Sequence, residues 1–269
     1  MKHILTAFLV ALGLSLCLPA PGTAAPRDGV MERVMQRGTL RVGFSSFVPW
    51  AMQDKEGKYI GFEIDVAERL AKDLGVKLQL VPTNWDGIIP ALLSGKFDVI
   101  IGSMSITPQR LLSVNFSIPY DRAYVDVTLN REKAADIHVQ EDLNREGVTI
   151  AVRTGTTAAA AAGRLFPKAT LRMFNDEAPA VEEVLSGRAH AFVSSAPLPA
   201  METLRHPDVL VQKFEARLDA QPVAFAVPKG DFDTLNVFDG WIRLVEEEGW
   251  LQERRNYWFK SDAWQSRLN

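Results

Sequence analysis

The stretch Gly102-Ser103-Met104-Ser105-Ile106-Thr107-Pro108-Gln109-Arg110 gathers small polar residues, a helix cap and a cation directly behind the apolar run Val99-Ile100-Ile101. Thr107 suits an N-cap and Pro108 the first helical position, which puts Arg110 in the first turn. A cation is electrostatically out of place there, because the backbone dipole at a helix start favours anions. These residue types point to capture of an acid. A planar guanidinium offers paired N–H donors to a carboxylate, and Ser103, Ser105 and the loop amides can add theirs. The plainer alternative is an arginine that is solvated or paired within the protein.

A second anion-friendly turn is Arg153-Thr154-Gly155-Thr156-Thr157, between the apolar run Val148 to Val152 and the alanines 158–162. Gly155 eases a tight turn, while Thr156 and Thr157 supply hydroxyls, a cap and helix-start amides. Phe47 and Trp85 follow strand ends, where an aromatic ring can flank the apolar part of a small ligand; Trp50 reads better as core. Ordinary capping and packing are the plain readings of both turns and rings.

Other chemistries lack their residues. The glycine and lysine spacing of phosphate or dinucleotide loops is absent, as is a Gly-x-Ser-x-Gly elbow. His138, His190 and His206 have no metal-like spacing, so neither a metal nor a cofactor is expected. Acidic residues are plentiful, yet sequence singles out no pair for acid/base work. A net charge of -3 leaves no basic excess for nucleic acid.

The elements that must position these residues alternate in type. Thr39 to Phe44 alternates with period two, and a helix from Asp65 to Leu74 stops at Gly75. Lys77 to Val81 reads as a strand, Asp86 as the cap of a short helix through Leu93, and Val99 to Ile101 as a buried strand. The alternation continues with strands at Val148 to Val152, Thr170 to Met173 and Ala189 to Val193, and helices from Thr157 and from Glu177 to Leu185. This pattern predicts α/β architecture with largely parallel sheets. Leu93-Ser94-Gly95-Lys96-Phe97-Asp98-Val99 also echoes Leu185-Ser186-Gly187-Arg188-Ala189-His190-Ala191. The echo suggests two similar lobes, each ending a strand in small polar residues at the sheet edge where open α/β sheets hold ligands.

At 47% hydrophobic and 23% charged, the 269 residues can bury a substantial core. Lys2 and the apolar run Ile4 to Leu18, followed by Pro19, Pro21 and Gly22, read as an export leader cleaved after Ala25. The run is too short for a transmembrane anchor. Cys17, the one cysteine, would leave with it. Asp126 to Arg131 and Gln221 to Lys229 are extended and suit crossings between lobes, with the helices from Phe232 to Trp264 returning to the first.

From Gly38 to Phe259 the chain resembles the bacterial extracellular solute-binding proteins of family 3, the polar amino-acid receptors of ABC importers. The residues that carry this are Gly61-Phe62-Glu63-Ile64-Asp65-Val66, Trp85-Asp86-Gly87-Ile88-Ile89-Pro90, Lys96-Phe97-Asp98, Ile106-Thr107-Pro108-Gln109-Arg110, Phe116-Ser117-Ile118-Pro119-Tyr120, Thr154-Gly155-Thr156-Thr157 and Val227-Pro228-Lys229-Gly230. The resemblance implies a type II periplasmic binding protein fold: two lobes with mostly parallel sheets, joined by a two-strand hinge. Residues 26–128 and 228–269 would form lobe 1, residues 129–227 lobe 2, and residues 1–25 the leader.

By the same resemblance, Arg110 holds a ligand carboxylate with Ser105 and the amides near Thr156 and Thr157. Phe47 and Trp85 flank the side chain, and Arg153 reaches the distal part. The family commonly neutralises a ligand ammonium with aspartates where this chain has Ser45, Ser46 and Ser195. Two arginines without those acids favour an anionic solute. The expectation is therefore a monomeric periplasmic receptor, not an enzyme, that hands a small acid to a membrane permease. The alternatives are an enzyme like the exported cyclohexadienyl dehydratases and a ligand-sensing module. The dehydratase needs a general acid, and the place expected for one holds only Ala158 to Ala162.

Overall fold

The computed structural model describes residues 29–214 and 218–268; the export leader expected at 1–25 lies outside them. The chain opens with α1 (Val30–Arg37) and β1 (Thr39–Phe44), then a hairpin of β2 (Met52–Gln53) and β3 (Tyr59–Ile60). The next helix, α2 (Phe62–Asp73), starts before the expected Asp65. Gly61 makes the early start feasible: at φ 138° it brings its α-carbon so close to the Trp50 carbonyl that a Cβ would lie 2.2 Å from that oxygen. In that turn the Glu63 N–H donates to the Trp50 carbonyl at 2.9 Å.

After β4 (Lys77–Pro82) come α3 (Ile88–Leu93), β5 (Val99–Ile100), α4 (Pro108–Leu111) and β6 (Val114–Phe116). Asp86 does not cap α3 as expected. It lies inside a 3-10 turn, Trp85–Gly87, and Gly87 takes the cap position. Thr107 does cap α4, its hydroxyl accepting from the Arg110 N–H.

The long β7 (Asp121–Asn130) carries the chain across to β8 (Thr149–Arg153), α5 (Thr157–Leu165), β9 (Thr170–Phe174), α6 (Glu177–Leu185), β10 (Ala191–Ser195), α7 (Leu198–Arg205) and β11 (Leu210–Val211). It returns through β12 (Ala220–Val223) and β13 (Ala226–Pro228) to α8 (Phe232–Glu247) and α9 (Trp250–Lys260).

Two sheets result. The first runs β4-β1-β5-β13-β6 and the second β11-β7-β10-β8-β9. Pairs linked by helices are parallel: β1 with β4 and β5, β8 with β9 and β10. The strands that enter and leave a lobe, β7 and β13, pair antiparallel with their neighbours, so each sheet is mixed rather than mostly parallel.

Each sheet has its own core. Val42, Phe62, Val99, Phe225, Trp241 and Trp258 pack in the first lobe, and Val127, Ile150, Val152, Ala161 and Val193 in the second. α8 and α9 pack on the core of the first lobe. The crossing is shorter than the extended segments suggested. Only Asp121 to Tyr124 and Ala220 to Val223 pair as a two-strand bridge. Val125 and Leu129 already belong to the second core, while Val223 and Val227 belong to the first. The lobe limits expected at 128 and 227 therefore fall inside the lobes, because a period-two run continues unbroken from hinge into sheet.

Candidate functional site

The nine candidate ligand-binding residues border one cavity between the lobes, of about 30 Å³ in this closed arrangement: Phe47, Trp85, Ser103, Ser105 and Arg110 from the first, Arg153, Thr156, Thr157 and Ser195 from the second. Ser45, Ser194 and Glu177 complete its polar lining. The cavity gathers them because β1, β5, β8 and β10 all end at this edge, the place where open α/β sheets present ligand loops. The repeated motif lands symmetrically: Gly95 and Gly187 both end helices at positive φ, and the strands behind them deliver Ser103 and Ser195 to opposite walls.

Arg110 points into this gap. Its two terminal nitrogens donate to backbone carbonyls, Nη1 to Ser105 at 2.8 Å and Nη2 to Gly155 across the cleft at 3.1 Å. Its guanidinium carbon lies 5.4 Å from the centre of the Trp85 ring. Burial pulls its pKa down to about 10, so it stays charged at neutral pH. Among the described residues its hydrogen-bond partners are neutral oxygens, and no carboxylate offsets the cation.

Ser103 adopts φ 55°, the left-handed region that side chains rarely visit. Its N–H bonds toward the buried Glu63 carboxyl, which also accepts from the Tyr120 hydroxyl at 2.5 Å. Burial pushes Glu63 up to about 8, against the bond from Tyr120. Ser103 is thus held from beneath by a carboxyl that is mostly neutral at pH 7.

Arg153 differs from expectation. Rather than reaching freely toward a ligand, it is 3% exposed and each of its nitrogens has a partner: Nε donates to the Asn175 carbonyl at 3.0 Å, Nη1 to the Ser46 carbonyl at 3.3 Å and Nη2 to Ser45 Oγ at 2.5 Å, with Asp176 Oδ1 3.8 Å from Nη2. Ser45 and Ser46 of the first lobe thus receive an arginine from the opposite lobe. Trp85 lies against both guanidiniums and donates its indole N–H to the Gly155 carbonyl at 3.1 Å. Thr156 caps α5, its hydroxyl accepting from Ala159, which leaves the first amides of that helix at the cavity wall. Phe47 stacks on the buried Trp50 with ring centres 4.2 Å apart, and its ring also packs on the apolar cluster of the second lobe.

Sequence reasoning missed Glu177. It opens α6 behind Asp176, so its carboxyl meets the same sheet edge from β9, the strand next to β8. Oε1 accepts from Ser194 Oγ at 3.1 Å, and Oε2 is buried without a hydrogen-bond partner. Burial raises its pKa to about 7, against the nearby Arg153. The signal was present: an acid directly after a strand, level with Arg153 and Ser195. The expectation of a cavity without an acid is thereby corrected, since this one comes from neither position where an acid was sought, nor from the alanine start of α5.

Residues 40–261 match the model of the bacterial extracellular solute-binding proteins, family 3. The chain is 30% identical over 238 residues to the L-cystine-binding protein TcyJ of Escherichia coli, spanning 88% of each chain. It is 28% identical over 247 residues to a cyclohexadienyl dehydratase of Pseudomonas aeruginosa, spanning 91% of each. Among solved structures it resembles an ancestral amino-acid-binding protein described as a precursor of cyclohexadienyl dehydratase, at 41% identity and TM-score 0.78, covering 86% of this chain and all of that one. A lysine-complexed binding component of an ABC transporter from Wolinella succinogenes superposes at 36% identity and TM-score 0.79, covering 86% of this chain and 99% of that one. With two lobes, a two-strand bridge and a family match across most of its length, this chain belongs to the bacterial extracellular solute-binding proteins, family 3.

Proposed function

We propose that the chain is an exported substrate-binding protein of an ABC importer, working as a monomer in the periplasm after loss of residues 1–25, and that it captures a small acidic or otherwise anionic amino acid. The observation that carries this reading is Arg110: a charged guanidinium in the cleft whose partners are backbone carbonyls, with no carboxylate of its own. A ligand carboxylate would replace neutral acceptors with a charge-assisted pair, and hydrogen bonds to an ionised partner are about twice as strong as neutral ones. Arg153 adds a second guanidinium from the opposite lobe, with Asp176 Oδ1 3.8 Å away. By binding the closed form better than the open one, the ligand would shift the hinge equilibrium, and the closed shape is what a permease would read. Calorimetry against acidic, neutral and basic amino acids and dicarboxylates tests the reading; cationic amino acids binding tightest would refute the anionic preference.

A second reading is a dehydratase, and Glu177 is the observation that favours it. A buried carboxyl with a pKa near 7 can hand a proton to a departing hydroxyl. One of the relatives above is a cyclohexadienyl dehydratase. Turnover of prephenate by the purified chain, abolished in Glu177→Gln, would rank this reading first.

A further inference from the structure

We infer that Glu63 is a positioning residue for the cleft: its carboxyl, which lines no wall of the cavity, ties the Ser103 turn to the bridge between the lobes through Tyr120, and solute affinity depends on that tie. The inference rests on the receptor reading above for what the cleft does, and on the geometry of the first lobe for how Glu63 serves it.

An acid in the first turn of a helix ordinarily faces solvent, where it complements the backbone dipole. Glu63, the second residue of α2, is 1% exposed instead. The charge that acts on it is a like one, Asp121. A carboxyl buried in this way costs stability unless hydrogen bonds offset it. Its partners come from two places far apart in the chain. The Tyr120 hydroxyl donates to Oε2 at 2.5 Å, and the Ser103 N–H points at both the Glu63 carboxyl and the tyrosine oxygen.

Each partner leads to a working part of the molecule. Ser103 borders the cavity at φ 55°, a conformation that a serine holds only where its surroundings impose it. The residues after it are strapped to the returning bridge strand. The Ile106 N–H donates to the Pro222 carbonyl at 2.9 Å, the Ala224 N–H donates to the Met104 carbonyl at 3.1 Å, and Ser105 pairs with Val223. Tyr120 directly precedes β7 and donates its own N–H to the Val223 carbonyl at 3.0 Å. The Glu63 backbone, bonded to the Trp50 carbonyl, adds the turn that carries Phe47. One residue therefore joins two cleft-lining turns to the bridge. Without its acceptor oxygens the Ser103 N–H and the Tyr120 hydroxyl lose their common partner, and the left-handed turn is free to relax to an ordinary conformation. An acid that served the core alone would lower stability without any selective effect at Ser103.

The test uses the mature chain and the variants Glu63→Met, Glu63→Gln and Tyr120→Phe, with amide hydrogen exchange read by NMR and L-glutamate affinity by calorimetry. Glu63→Met keeps the bulk and removes the acceptor. Its Ser103 amide should exchange about tenfold faster, while the Ile101 amide, bonded to the Gly43 carbonyl in the sheet, keeps its rate. L-glutamate should bind it about tenfold more weakly. Glu63→Gln, whose amide oxygen still accepts, should restore both readouts. Tyr120→Phe keeps the ring and the acid and should loosen Ser103 by a smaller factor, so it tests the joint even where Glu63→Met does not fold. Ser103 and Ile101 accelerating together would overturn the inference and leave the receptor reading standing. Unchanged affinity in Glu63→Met, or a loss in Glu63→Gln equal to that in Glu63→Met, would do the same. Should L-glutamate fail to bind the unmutated chain, the anionic preference falls, and the exchange rates decide the inference by themselves.

Discussion

Arg110 of the first lobe and Trp85 beside it both donate to one acceptor of the second lobe, the carbonyl oxygen of Gly155, each at 3.1 Å. The two lobes are therefore bridged in part by a backbone oxygen standing where two donors converge. Gly155, at φ 72°, supplies the turn that aims this carbonyl back across the gap.

Trp85→Phe keeps the ring beside both guanidiniums but deletes the indole donor. A neutral hydrogen bond contributes about 0.5 to 1.5 kcal/mol, so the ligand-free population should move several-fold toward an open form. Small-angle scattering of the unliganded protein should show a larger radius of gyration for the variant, with the difference vanishing at saturating ligand.

Replacing Arg110 by alanine should abolish the central contact with the ligand's acid group. Stranding a buried carboxylate costs about 2 to 5 kcal/mol. Arg110→Lys should fall between, because an ammonium keeps the charge but cannot offer two parallel donors to a carboxylate. Calorimetric affinities of the three proteins should rank in that order, with their melting temperatures close together.

Glu63 should make the protein less stable as the solution becomes more basic. Its carboxyl titrates near 4.5 when unfolded and at about 8 in the native core, so between those values the folded state holds a proton that the unfolded state has released. Stability falls with rising pH across that window, by at most about 1.4 kcal/mol per unit, and levels off above pH 8. Tyr120 and Asp121 are the other titratable groups at this carboxyl. Denaturant melts from pH 5 to 9 should show a shallower slope for Glu63→Gln, which fixes the site in its neutral, hydrogen-bonding form. An unchanged slope would contradict the argument.

Gly43 in the middle of β1 has no room for a side chain: a Cβ there would lie 2.3 Å from the Phe97 ring. Gly43→Ala should destabilise the first lobe by about 1 to 3 kcal/mol, as overpacking of a tight core does. Pairing it with Phe97→Leu should recover part of the loss, which thermal melts of the single and double variants would show.

Much of this was legible in the sequence because each element carried local punctuation. β1 and α6 fall where their patterns placed them, and Thr107 and Thr156 are caps in fact as in expectation. Most of the nine cleft residues stood out as capped or small-polar loops at strand ends, and Ser195 came from the family resemblance alone. What stayed hidden depends on tertiary geometry. Nothing in the spacing of Asp86 says that the backbone takes a 3-10 turn through it. The engagement of Arg153 by Ser45 and Ser46 joins residues more than a hundred positions apart in separate lobes. Glu177 was overlooked because acids at helix starts are common for dipole reasons alone, and only its burial against Ser194 sets it apart.

The first lobe is assembled from both ends of the chain, whereas the second is built from one continuous stretch between the bridge strands. β13 wedges between β5 and β6, and Trp258 and Trp264 seal a core that also contains Val30 and Val34. During synthesis the second lobe has all its parts before the first does. The early segments must wait, with apolar faces uncovered, until the last helix is made. A nascent polypeptide of this design stays unfinished, and so still threadable through a narrow channel, for nearly its whole elongation.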